Sequence, residues 1–299
     1  MTTQVRDGIG SIRSAVRITE NICSLPAVAT QDWCDLAAAA VLPLCPPSVA
    51  AVLIGHVDAS GAILRKDATG AAGCYVAEVT TTVGASRSAV SDLPIDPSDA
   101  ALTRVRTSLD QARHLSWSPG DLPPGSVRAG TPDQFGLPAD YHNTPLAQRW
   151  DAVRSAGMVL GAASLATDVR NAGRCLVVEV AHTGGGRPDL SAQVEALSAI
   201  LPSLARRALM AIGPDSSDSS HWLTQREQVI LRHLLLGKSV REIADELGRS
   251  PHTVHDHVKS LHRKLNASSR GELVARALGH VEPKPMGGSA AESRQPQRV

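Results

Sequence analysis

Residues 221–280 read HWLTQREQVILRHLLLGKSVREIADELGRSPHTVHDHVKSLHRKLNASSRGELVARALGH, and this stretch decides the fold of the C-terminal part of the chain. Four helix starts are written into it. Three are a Ser or Thr followed three residues later by Glu: Thr224 with Glu227, Ser239 with Glu242, and Ser269 with Glu272. In such a capping box the hydroxyl takes an otherwise unpaired backbone N–H of the first turn, and the Glu reaches back to the N–H of the cap residue. The fourth start is Ser250 followed by Pro251. Proline at the first helical position already has a helical φ and gives up no hydrogen bond there.

Apolar spacing then predicts what packs. Val229, Ile230, Leu234 and Leu235 give the first helix a buried face, and Ile243, Ala244 and Leu247 do so for a short second helix. Gly248 follows as a residue able to end a helix at positive φ. Val254, Val258, Leu261 and Leu265 recur at helical spacing on a third helix, and Leu273, Val274, Ala277 and Leu278 on a fourth. From Ser239 to Leu265 the pattern is a helix, a tight turn at Gly248-Arg249 and a longer helix. That arrangement lets the second helix of the pair enter a DNA major groove while the first crosses the backbone.

The polar face of the third helix agrees, with His252, His255, Asp256, Lys259 and Arg263 opposite the apolar stripe. Charge is also distributed unevenly. Residues 221–280 hold 10 Lys+Arg and 6 Asp+Glu, whereas residues 1–220 hold 17 and 21. A near-neutral chain of formal charge +1 thus joins a basic module to an acidic one, and phosphate binding responds to the local field.

On these residues the segment resembles the LuxR-type helix-turn-helix domain of bacterial transcriptional regulators. The likeness runs through LTQRE at 223–227, Gly237, EIADELGRSPHTVHDHV at 242–258, RKL at 263–265 and the start at Ser269-Arg270, about a fifth of the chain. The resemblance implies an all-α fold of four helices, with the third reading the major groove. It places His255, Asp256 and Lys259 at base edges. It makes Ser250, Thr253, Arg263, Lys264 and Arg270 phosphate contacts. It puts dimerisation largely on the last helix, hence on Leu273, Val274, Ala277 and Leu278. Asp256 departs from the family pattern, because an acid there repels phosphate, although it can accept from cytosine N4.

Competing readings of the segment are weaker. A helical unit with three capping boxes could also be an interaction module alone. His252, His255, His257 and His262 scatter around the helix, whereas zinc needs ligands converging on one point. The GKS run at 237–239 lacks the first glycine of a phosphate loop, since Arg232 stands there, and no strand precedes it. We therefore expect no metal and no cofactor.

The rest of the chain is bounded by composition. At 299 residues, about two domains are expected. Hydrophobic residues make up 42%, enough for real cores, but aromatics only 2%. No signal segment opens the chain and no run of eighteen apolar residues occurs, so a cytoplasmic protein away from the membrane is expected. The cysteines, Cys23, Cys34, Cys45, Cys74 and Cys175, are odd in number and form no CxxC pair. Buried free thiols are the ordinary reading, and a redox sensor the alternative.

Punctuation sets the domains. Residues 213–220 are a polar linker and 281–299 a Pro, Gly, Ser and Arg-rich disordered tail. Residues 1–212 are expected to be an α+β domain with an antiparallel sheet. Its expected elements are a helix over 31–42, a hairpin from Val52–Val57 to Ile63-Leu64, a strand over 74–80 and a helix near 98–114. A long Pro/Gly-rich connection over 116–145, a helix near 145–155 and strands at 158–165 and 175–181 follow. A last helix spans 190–209, which Pro202 should kink or split. The region from Tyr141 through Pro145 and Trp150 to that helix resembles the GAF-like effector halves found ahead of LuxR-type domains.

A phosphoacceptor receiver needs paired acids after its first strand, and the first hundred residues lack that order. The aromatic residues before the linker do not match the pattern of acyl-homoserine-lactone-binding domains. Paired acids, a nucleophile elbow and a metal triad are all missing as readable motifs, so no enzyme is expected. The reading is a DNA-binding regulator with a GAF-like sensor domain. Its expected partners are double-stranded DNA, a second copy of the chain, RNA polymerase and an effector, either a small molecule or a protein. The alternative is an N-terminal protein-interaction module without a small-molecule ligand.

Overall fold

The structure is a computed structural model, and it describes residues 16–79, 89–94, 99–137, 144–151, 153, 155–167, 173–183, 189–213 and 222–279. The tail at 281–299, Tyr141 and all but the first residue of the 213–220 linker lie outside the described residues. The N-terminal half is built on a six-stranded sheet: β1 (Ser48–Val57), β2 (Ile63–Val79), β3 (Ala89–Pro94), β4 (Val127–Gly130), β5 (Gly157–Ser164) and β6 (Arg174–His182). The strand order is β3-β2-β1-β6-β5-β4, and every neighbouring pair is antiparallel. Helices α1 (16–24), α2 (Trp33–Val41), α3 (Ala100–Gln111), α4 (Pro145–Asp151) and α5 (Ser191–Ile212) complete it. The α+β expectation holds.

Side chains alternate strictly between the two faces. Ala50, Val52 and Ile54 of β1 and Leu176, Val178 and Val180 of β6 meet α2 and α5. Val49, Ala51 and Leu53, with Cys175, Val177 and Ala181, meet α3 and α4. Because both faces are covered, these strands read as continuous apolar runs rather than as alternating ones.

Three elements depart from expectation. The short return of the hairpin and the separate strand at 74–80 are one strand, β2. Within it Gly70 allows a close approach: a Cβ there would lie 2.3 Å from the Asp35 amide nitrogen of α2. The connection over 116–145 contains the edge strand β4, paired with β5. Helix α5 runs unbroken through Pro202.

One buried polar centre interrupts the apolar face under α3 and α4. Glu179 of β6 accepts from Arg149 Nη1 at 2.6 Å, Trp150 Nε1 at 2.9 Å and Trp117 Nε1 at 3.1 Å. Both charges of this pair are 1% exposed, so they are tolerable only because each is paired and hydrogen-bonded. Four cysteines are buried and Cys23 is exposed. Burial pushes the Cys45 and Cys175 thiols up to about 12 and Cys34 higher, away from thiolate chemistry.

The C-terminal half is four helices: α6 (Gln225–Leu235), α7 (Val240–Leu247), α8 (Pro251–Lys264) and α9 (Arg270–Ala277). Their core gathers Leu223, Ile230, Leu231, Leu234, Ile243, Ala244, Val254, Leu261 and Leu273. The buried face of α6 is turned from the expected one. Val229 and Leu235 are 37% and 36% exposed, while Glu227, Ile230, Leu231 and Leu234 face inward. The spacing of this inward set is still helical; Glu227 leads it because its carboxylate is needed inside.

The two halves are stitched together. Leu223 forms a parallel bridge with Thr30: its N–H donates to the Ala29 carbonyl at 2.7 Å, and its own carbonyl accepts from the Gln31 N–H at 3.3 Å. The Gln228 amide donates to Asp32 at 3.1 Å. Val28 is buried in the core of the four helices, and Trp222 in the core of the sheet half. No described helix is long and apolar enough to cross a membrane.

Candidate nucleic-acid interface

Each helix of the C-terminal unit starts as its cap residue dictates. Thr224 and Ser239 form reciprocal capping boxes with Glu227 and Glu242. The third box is only half formed. Ser269 Oγ accepts the Glu272 N–H at 3.2 Å, but the Glu272 carboxylate takes the N–H and hydroxyl of Ser268 instead. Those bonds from Ser268, with Arg276, hold the half-buried Glu272 carboxyl down at about 2. Between α7 and α8, Gly248 sits at φ 60° and ψ 39°, and the Arg249 N–H returns to the Ala244 carbonyl at 2.9 Å. This αL closure ends α7 within one residue. Ser250 Oγ then accepts the Thr253 N–H at 3.1 Å to open α8.

Helix α8 inserts Val254 and Leu261 into the core and presents the opposite face outward. His252, Thr253, His255, Asp256, Lys259 and Arg263 are all exposed there. His255, Asp256 and Lys259 thus share one open face, next to Ser250 and Thr253, whose hydroxyls lie 2.8 Å apart. Asp256 Oδ2 lies 3.2 Å from His252 Nδ1, one turn back, so a protonated His252 would mask part of its charge.

Of the three cations among the expected phosphate contacts, two have internal partners. Lys264 Nζ donates to the Trp222 carbonyl at 2.7 Å and to Glu227 Oε2 at 2.8 Å. Arg270 Nη2 donates to the Lys238 and Leu234 carbonyls, tying α9 to the end of α6. Arg263 stays exposed. Of the residues expected to pair two copies, Leu273 is fully buried in the core of its own chain, Val274 and Ala277 are half-buried, and Leu278 is 50% exposed.

Sequence reasoning saw Glu227 only as a cap and missed its wider role. Its carboxylate accepts from the Thr224 N–H and hydroxyl, the Ser260 hydroxyl and Lys264. Burial alone would raise its pKa. The Lys264 bond, then those from Thr224 and Ser260, outweigh that and hold the carboxyl below its usual value. A Glu on the inward row of α6 was the available signal.

Comparison with known proteins fits this geometry. Residues 221–277 match the family described as bacterial regulatory proteins, luxR family. Among curated relatives, the transcriptional regulatory protein UhpA of Escherichia coli is 48% identical over 54 residues, 18% of this chain and 28% of that protein. A putative HTH-type transcriptional regulator of Aeromonas salmonicida is 36% identical over 90 residues, 30% of this chain and 43% of that one. The probable transcriptional regulatory protein NarL of Mycobacterium tuberculosis is 34% identical over 79 residues, 26% and 37%. The chain thus spans less than half the length of these relatives. A crystal structure of Escherichia coli SdiA superposes over 77% of this chain and 82% of that one at 19% identity, with a TM-score of 0.28, too loose to carry an argument. Residues 221–277 form a LuxR-family domain.

Proposed function

We propose that the chain is a DNA-binding transcriptional regulator, in which α8 reads the major groove under the control of residues 1–212. The observation that carries this reading is the exposed face of α8. It offers His255, Asp256 and Lys259 beside Ser250, Thr253 and Arg263, at the end of a helix-turn-helix that matches a regulator family. Base readout falls to the first three and phosphate contact to the second three. Lys264 and Arg270 keep spare donors but act chiefly through the fold. This is a binding role rather than an enzymatic one, exercised in the cytoplasm.

Residues 1–212 act as the sensor. An antiparallel sheet flanked by helices is what the GAF-like reading requires, and the stitch at Thr30–Leu223 supports communication with the DNA-binding unit. Two copies bind one operator through α9, with Leu278 at the contact and Leu273 supporting it from within. Selection of bound duplexes from a random pool by the purified full chain tests the reading. A two-fold symmetric consensus is expected; recovery of no consensus would overturn it.

A further inference from the structure

The sheet half carries more acid than base overall, yet one groove in it is bordered by cations alone among charged residues. The surface between α3 and α4 opens into a groove of about 580 Å³, within the range of small-molecule sites. Its wall is the outer face of α3 with Arg104 and Thr107. Its rim is the turn after α3 with Arg113 and His114. Its floor is Arg149 of α4 beside Ser108. None of the lining residues is acidic.

The donors are arranged as a site. Arg104 and Arg113 are exposed and make no ion pair among the described residues. Arg149 is locked from behind, with Nη1 on Glu179 at 2.6 Å and Nε 3.4 Å from the Ser108 hydroxyl, while its Nη2 donates to no described residue. The Ser116 N–H donates to His114 Nδ1 at 2.9 Å, so the neutral ring carries its proton on Nε2 and is a donor. Nearby Lys66 senses the same field. Burial first, then Arg113 and Arg149, hold its ammonium below the usual lysine range against the pull of Asp110.

We propose that this groove binds a small dianion, a phosphate monoester or a compact dicarboxylate, and is the effector site of the sensor half. Guanidinium forks match both anions bidentately, and the hydroxyls of Thr107 and Ser108 add neutral donors. No Phe, Tyr or Trp lines the groove to stack a base, and of its lining residues only Ala112 and Pro145 are apolar, a poor fit for an acyl chain. The groove helix is also tied toward the DNA-binding unit. Arg106 of α3 pairs with Asp35 of α2 at 2.9 Å, and Asp32, just before α2, accepts from Gln228 of α6. The proposal rests on reading residues 1–212 as the regulatory half.

The test is calorimetric titration of the full chain with inorganic phosphate, glucose 6-phosphate and succinate at constant ionic strength. Two variants accompany it: Arg104→Gln with Arg113→Gln, both exposed and outside any core, and Lys259→Ala, which removes a cation from the DNA-facing helix. Saturable binding of a probe, weakened at least about tenfold by the double arginine variant and unchanged by Lys259→Ala, is expected. Preference for the sugar phosphate or for succinate distinguishes the two anions. Absence of saturable binding for all three probes, or equal binding by the arginine variant, would overturn the proposal. DNA affinity measured on the same proteins without ligand keeps the two readings apart, because a parent chain that binds DNA but none of the three probes sinks only the groove.

Discussion

Replacing Lys264 with Ala should destabilise the C-terminal unit rather than strip a phosphate contact from it. Its side chain is 12% exposed, that of Glu227 is 5%, and the two meet at 2.8 Å. Removing one partner of a buried ion pair costs about 3–5 kcal/mol when the other charge is stranded. Glu227 is not fully stranded, because the Thr224 N–H and hydroxyl and the Ser260 hydroxyl still donate to it. A cost of about 2–3 kcal/mol follows, roughly 30–150-fold in the unfolding equilibrium. Urea titration of the full chain, followed by far-UV circular dichroism, reads this directly. The salt dependence of DNA binding gives the second arm. A direct phosphate contact would lower the slope of log K against log salt by about one unit on substitution, whereas a structural lysine leaves it unchanged once the protein is folded. An unchanged urea midpoint together with a shallower slope would refute the reasoning. Lys264→Met combined with Glu227→Gln should be less destabilising than the sum of the two single changes, by about 1–3 kcal/mol.

Lys259→Ala should cost about 1–3 kcal/mol of specific binding and relax the preference at one position per half-site, seen by repeating the duplex selection; an equally stringent consensus would make Lys259 a phosphate contact. Because the Glu227 carboxyl is held below its ordinary value of 4.5, its contribution to stability is complete above about pH 4.5 and is lost as the pH falls through the lower folded value. Melting temperatures between pH 7 and about pH 3 should therefore fall less in Glu227→Gln than in the parent chain, and parallel curves would contradict the assignment. Sedimentation of the protein–operator complex should give two chains per operator, and Leu278→Glu should reduce this to one or weaken binding at least about tenfold. Trp222→Ala should destabilise the full chain by about 3–5 kcal/mol, measured by urea titration, since that ring is buried in the sheet half; a cost below about 1 kcal/mol would show that the stitch between the halves is loose.

The C-terminal helices were legible because their signals are local. Thr224, Ser239 and Ser250 each fix a helix start through atoms three residues away, and Gly248 fixes a stop. The misjudged face of α6 has the same root. Val229 and Leu235 satisfy a helical period as well as Leu231 does, and only the distant partners Lys264 and Ser260 explain why Glu227 points inward. In the sheet half, strands β1, β5 and β6 were recognisable as apolar runs. Strand β2 was not, because residues 65–73 read RKDATGAAG, charged and small residues with no apolar run to join its two ends. The same holds for Glu179, Arg149, Trp117 and Trp150. Trp117 and the adjacent Arg149 and Trp150 all stand far from Glu179 in sequence, and nothing in the spacing announces that one carboxylate collects three donors. The groove beside them depends on α3 and α4 lying together, which no local pattern encodes.

The bridge between Thr30 and Leu223 has a consequence for the order in which the chain is made. Asp32 and Gln228, which join the halves beside it, are 196 positions apart. At roughly 5–20 residues per second, the ribosome delivers the second partner about 10–40 s after the first. During that interval Val28, whose burial site belongs to helices not yet made, has no pocket to enter. The sheet half must likewise close its core before Trp222 exists to complete it. Residues 25–32 are therefore among the first ordered segments synthesised and among the last to reach their final packing, so a nascent chain stalled before residue 222 should expose them to protease while the finished protein protects them.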